Sequence, residues 1–247
     1  KVNFRVNAAY HNEDSFQDAG FKKSLFVAPS LSYQVNDRLS FLINTEFLSS
    51  EMTNPTMLFL DRGTPLRAHN IEELGYDNKR SYTSNDLVIK TPSYSLQGQM
   101  NYKISDQWTS QTAFARSSTK SQGYYNYLYD ITSNFQNITN GIVFGRSFTN
   151  NNSKTLTTDI QQNFIGDFKI GNLRNRIVAG LDYFNRMQVD NGTDYEYYES
   201  LVYVGRDDLK TVNENVFKIT DPTKYILDGD NFIKTLMFEF VSFLYVF

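Results

Sequence analysis

The sequence predicts an all-β fold: an antiparallel up-and-down meander of seven or eight strands that crosses a membrane as a β-barrel or forms part of one. Three observations predict it. Apolar and polar residues alternate with a period of two in seven segments. Short and long connections between those segments alternate strictly. Aromatic residues fall at two levels of the apolar face.

Successive side chains of a strand point to opposite faces, so each alternation defines two faces. Val2, Phe4, Val6, Ala8 and Tyr10 oppose Asn3, Arg5, Asn7 and Ala9. Leu25, Val27, Pro29, Leu31, Tyr33 and Val35 alternate with Phe26, Ala28, Ser30, Ser32 and Gln34. Leu39, Phe41, Ile43 and Phe47 lie opposite Asn44 and Glu46. In residues 93–104, Tyr94, Leu96, Gly98, Met100, Tyr102 and Ile104 oppose an uncharged-to-basic polar set. Residues 108–116 are the weakest segment, with only Trp108 and Phe114 as large apolar members. Residues 156–170 set Leu156, Ile160, Phe164, Phe168 and Ile170 against Asp159, Gln161, Asn163, Asp167 and Lys169. Ile177, Ala179, Leu181 and Tyr183 oppose Asp182 and Arg186. The tail 235–247 is apolar on both faces; it reads either as an eighth strand ending on Phe247 or as a truncated or frame-shifted end.

Residues 36–38, 105–107 and 171–173 have the composition of hairpin turns. The intervening connections are long: 11–24, 49–92, 117–155 and 188–232. Short turns at one end and long loops at the other are the pattern of an outer-membrane barrel, with the turns periplasmic. On that assignment Phe4, Tyr33, Tyr102, Trp108 and Phe168 lie low, whereas Tyr10, Phe47, Tyr94 and Tyr183 lie high. These are two aromatic girdles. The competing folds are a soluble β-sandwich binding carbohydrate, with the apolar face as its core, and a small complete barrel with an adhesive, structural or enzymatic role.

The composition excludes several functions. Twenty-four basic against 27 acidic residues give a net charge of −3, without the basic face that nucleic acid requires. No Cys occurs, so disulfides, thiolate catalysis and Cys-ligated metal are excluded. No apolar run reaches the roughly 18–20 residues of a membrane-spanning helix, and the mean hydropathy is −0.47. The 20 Phe, 17 Tyr and single Trp favour strands over long helices. The chain opens on Lys rather than Met, and the expectation is a mature product or a fragment, a single partial-barrel domain over 1–247.

Tyr124, Tyr125, Tyr127 and Tyr129 crowd one long loop, where they could stack on a ligand entering the barrel or pack between extended strands. Tyr195, Tyr197 and Tyr198 repeat the pattern in the last loop. His11 with Glu13 and Asp14, and His69 with Glu72 and Glu73, have metal-ligating side chains but sit in polar loops where solvated charges are the ordinary outcome. Residues 228–231, Asp-Gly-Asp-Asn, read as a turn rather than a calcium loop. No metal, cofactor or catalytic set is assigned.

The first 50 residues resemble a known family. Phe4-Arg5-Val6-Asn7-Ala8-Ala9-Tyr10, the acidic Glu13-Asp14-Ser15-Phe16 and Leu25-Phe26-Val27-Ala28-Pro29-Ser30-Leu31, followed by the hairpin at Asn36-Asp37-Arg38, resemble the early barrel strands of TonB-dependent siderophore receptors. The resemblance implies uptake of a ferric siderophore across the bacterial outer membrane, with lipid around the barrel and TonB contacted through a plug. Beyond about Leu48 only the hairpin pattern supports it. The family's plug does not correspond to any part of these residues, and its barrel has about 22 strands. The expectation is therefore a section of the barrel that, expressed alone, neither imports nor tightly binds a siderophore.

Overall fold

Period-two alternation joined by tight turns produces a single sheet, antiparallel except at one three-residue strand. The computed structural model describes residues 1–55, 57–136, 138, 141–204 and 234–243. The elements run β1 (Val2–Asp14), β2 (Phe21–Gln34), β3 (Leu39–Thr53), β4 (Met57–Phe59), α1 (Ile71–Leu74), β5 (Val88–Lys90), β6 (Ser93–Lys103), β7 (Trp108–Asp130), β8 (Ile142–Ile170), β9 (Leu173–Asp190), β10 (Glu196–Val204) and β11 (Lys234–Phe243). Eight of these are long neighbours in chain order: β1, β2, β3, β6, β7, β8, β9 and β11. That is the expected meander. The tail forms the eighth strand, paired with β9 from Lys234↔Asp190 to Phe243↔Leu181; Phe247 lies outside the described residues.

The three short connections are the turns β2–β3, β6–β7 and β8–β9. The register places them together, because Leu39 is opposite Tyr102, Lys103 opposite Thr109 and Trp108 opposite Gly166. Asn36 closes the first turn by accepting from the Arg38 and Leu39 N–H groups at 2.9 and 3.0 Å. Gly171, at φ +60, supplies the left-handed residue of the third.

The long connections are more structured than their composition suggests. β1 continues to Asp14 and β2 begins at Phe21, leaving only residues 15–20 between them. Most of 117–155 is strand as well. β7 and β8 pair without a break from Trp108↔Gly166 to Asp130↔Phe144. Sequence alternation misses this extension because one of its faces packs against protein and the other meets solvent, and neither meets lipid. On one face, Leu128, Phe144, Arg146 and Phe148 are buried beneath residues 54–87. The buried apolar residues form two clusters, Tyr82 with Leu128, Ile142 and Phe144, and Leu87 with Phe148, both beyond the membrane-crossing part of the sheet. The segment above them also forms α1, capped by the Asn70 side chain, which accepts from the Glu73 N–H at 2.7 Å.

Residues 15–20 are tied to this cover. Ser81 donates from its N–H and hydroxyl to Asp18 Oδ1 at 2.8 and 2.7 Å. Gln17 donates to the Asn78 and Arg80 carbonyls at 3.1 Å.

Candidate functional site: a two-faced wall and its aromatic rim

The register sorts the membrane-crossing residues into two faces. Phe4, Leu31, Ile43, Gly98, Phe114, Ile160 and Tyr183 form one continuous cross-strand row. Leu96, Met100, Phe164, Phe168 and Tyr33 fall on the same side. On the interior strands Leu96, Ile160 and Phe164 remain 39%, 42% and 44% exposed, which is the condition of side chains that face lipid rather than a core. Trp108 stacks on Phe168 at the turn end, ring centroids 5.8 Å apart; Phe47 pairs with Tyr94 at the other. The weakness of residues 108–116 has a local cause. Ser110, Thr112 and Gln162 share the apolar face and satisfy one another, Thr112 donating to Gln162 Oε1 at 2.6 Å and Gln162 to Ser110 at 2.9 Å.

The opposite face is polar. Leu42, Asn44, Gln97, Ala113, Asp159 and Phe184 surround a hollow of about 430 Å³. Gln99 and Gln111 both donate to the Asn101 amide oxygen, at 3.1 and 3.2 Å.

Above this wall the predicted tyrosines divide. Tyr127 meets Tyr195 edge to face at 4.8 Å and Phe59 at 5.6 Å. Tyr125 and Tyr129 alternate in step with Tyr127, and Tyr129 is 46% exposed. Tyr124 takes the other face and packs, partly buried, on Leu87 and Phe148. Tyr197 and Tyr198 stand in β10, opposite Ser147 and Arg146 of β8. The four tyrosines of 124–129 thus lie on an extension of the strand, the second of the two arrangements their sequence allowed.

Tyr195 is positioned by the turn before it. The Asn150 N–H donates to Thr193 Oγ1 at 3.0 Å, and the Thr149 hydroxyl donates to the Thr193 carbonyl at 2.6 Å. Partial burial, and then the neighbouring Tyr127 and Tyr125, raise the Tyr195 phenol above its ordinary value, so it remains a neutral donor at physiological pH. Phe59 escaped the sequence reading. The apolar run Met57-Leu58-Phe59-Leu60 inside a polar connection was the available signal. It pairs as β4, parallel to Tyr127–Tyr129.

The candidate metal clusters do other work. His11 Nε2 pairs with Glu13 at 2.9 Å on an exposed strand. Glu73 turns back to accept from the His69 N–H at 2.8 Å, completing the α1 cap. Residues 228–231 lie outside the described residues.

A sheet with an apolar, girdled outer face, a polar inner face and strands extended past one rim is a section of an outer-membrane β-barrel wall. Known proteins narrow the class. No protein-family profile matches the chain. A metal-pseudopaline receptor of Pseudomonas aeruginosa is 24% identical over 182 residues, 73% of this chain and 24% of the receptor. The ferric-catecholate import receptor Fiu of Escherichia coli K12 superposes with a TM-score of 0.67 at 15% identity, over 83% of this chain and 30% of its own. The ferric preacinetobactin receptor BauA of Acinetobacter baumannii superposes at 0.65 and 14% identity, over 98% and 34%. The fold is that of the barrel of TonB-dependent siderophore receptors. The chain spans about a quarter of the curated relative and about a third of each solved structure.

Proposed function

We propose that the chain forms part of the wall and extracellular rim of an outer-membrane receptor that takes up a metal–siderophore complex. The observation that carries this reading is the division of one continuous sheet into a lipid-compatible face and a polar face, capped by the Phe59, Tyr127 and Tyr195 cluster. Aromatic rings with phenolic hydroxyls suit an aryl or amide-rich chelate, which offers flat faces and many hydrogen-bond acceptors. Tyr125 and Tyr129 extend the same surface in this reading.

The role is transport, and no residue is assigned to catalysis. β1 and β11 each pair on one side only among the described residues. Unpaired backbone groups are costly in lipid, so further strands must complete the wall. Energy for uptake would come through TonB acting on a plug inside that completed barrel.

Uptake of radiolabelled iron supplied as a catecholate siderophore tests the assignment in a strain deleted for the gene encoding this chain. Lost uptake, restored by the gene on a plasmid, supports it. Unchanged uptake of every ferric siderophore offered would refute it.

A further inference from the structure

Just beyond the upper aromatic level, the lipid-facing side of the sheet becomes basic. Lys120 on β7 and Lys154 on β8 stand directly opposite each other. Two residues away on the same face, Ser118 and Leu156 are paired, and Ser118 is also opposite Tyr94 of the upper girdle. Arg116 lies on the other side of that level, opposite Leu96, and takes no part in this basic pair. Like charges at directly opposed positions destabilise a strand pair. Neither lysine forms an ion pair among the described residues. Glu51, on the same face, is engaged by Lys90 at 3.7 Å.

Beside this pair lies an apolar groove of about 380 Å³, floored by Leu25, Val27, Phe47 and Tyr94 and bordered by Lys120. The groove is in the lipid-facing band, and the lysines sit where headgroups begin. Opposed ammonium groups need an anion between them, and the groove beside them needs a hydrocarbon chain. A neutral lipid would leave the lysines repelling each other, and a free anion would leave the groove empty. We propose that Lys120 and Lys154 bind the phosphate of a phosphorylated outer-leaflet lipid whose acyl chain occupies this groove. The proposal rests on the membrane-spanning reading above.

The test uses the protein extracted from outer membranes in detergent and stripped of bound lipid. Native mass spectrometry then follows retention of phosphatidate, phosphatidylcholine and inorganic phosphate, each added separately. Phosphatidate is expected to be retained preferentially. The double variant K120Q/K154Q should retain it about five-fold less for each lysine removed, whereas K120R/K154R should behave as the parent. Equal retention of phosphatidate and phosphatidylcholine overturns the site but leaves the membrane reading standing, as does unchanged retention by the glutamine variant. Inorganic phosphate held as well as phosphatidate overturns the lipid assignment. Retention of neither lipid overturns the site, whereas failure to recover the protein in the outer-membrane fraction overturns the membrane reading.

Discussion

Tyr127 of β7 and Tyr195, just before β10, meet edge to face with ring centroids 4.8 Å apart and planes at 68°. Two tyrosine-rich segments that are distant in sequence thereby become one surface, with Phe59 against the far side of Tyr127. Tyr124, three residues before Tyr127, packs instead on Leu87 and Phe148. Replacing Tyr127 or Tyr195 by Ala should therefore weaken ferric-siderophore binding by about 0.5–1.5 kcal/mol, the range of an aromatic pair. Tyr124→Ala should lower thermal stability and leave affinity unchanged. Fluorescence titration alongside thermal unfolding separates the two effects; equal losses of affinity in all three variants would contradict the division.

Gly123 sets the junction between wall and rim. Its φ is +131°, and a Cβ there would lie 2.0 Å from the Val88 carbonyl oxygen. Gly123→Ala should cost about 1–3 kcal/mol by displacing β5 from β7, with faster hydrogen exchange in residues 54–90. Gly98→Ala, with open space around its position, is the control and should be nearly silent.

Residues at adjacent positions of β6 face different solvents. Met100→Arg should cost roughly 2–4 kcal/mol in folding titrations into lipid vesicles, the penalty of a cation near the bilayer midplane. Gln99→Arg, on the polar face, should stay within about 0.5 kcal/mol. Equal effects at both positions would argue for two faces in the same medium.

Burial, and then the neighbouring Tyr76, push the Tyr82 phenol up to about 12 from 10.0. An acid that holds its proton more tightly when folded stabilises the fold fully below its unfolded value. Above that value the unfolded chain ionises first and stability falls. The cover formed by residues 54–87 should thus lose stability between about pH 10 and 12. Thermal melts across that window should show a steeper loss for the parent than for Tyr82→Phe.

The sequence disclosed the wall well and the rim poorly. Strands such as 93–104 meet lipid on one side and polar lumen on the other, so their alternation is written directly into residues Tyr94 to Ile104. Turn chemistry at Asn36 and Gly171 fixed their ends. The upper halves of β7 and β8 contact protein on one face and water on the other, and Ser, Thr, Asn and Tyr satisfy both, so no period appears. Residues 54–87 are held by long-range bonds such as Asp18 to Ser81, which no local pattern anticipates. The tyrosine runs were legible as a surface. Which of the tyrosines share the face of Phe59 was decided by the register of β7 and by the turn at Thr193.

The central claim is that these strands cross the outer membrane with their tight turns inside and the β7–β8 connection outside. The chain contains no cysteine, so single reporters can be placed without background. Asn134→Cys, in the exposed β7–β8 connection, should react with a membrane-impermeant maleimide on intact cells. Asp106→Cys, in the exposed β6–β7 turn, should react only after the outer membrane is permeabilised. Labelling of both positions on intact cells, or of position 106 alone, would contradict the account.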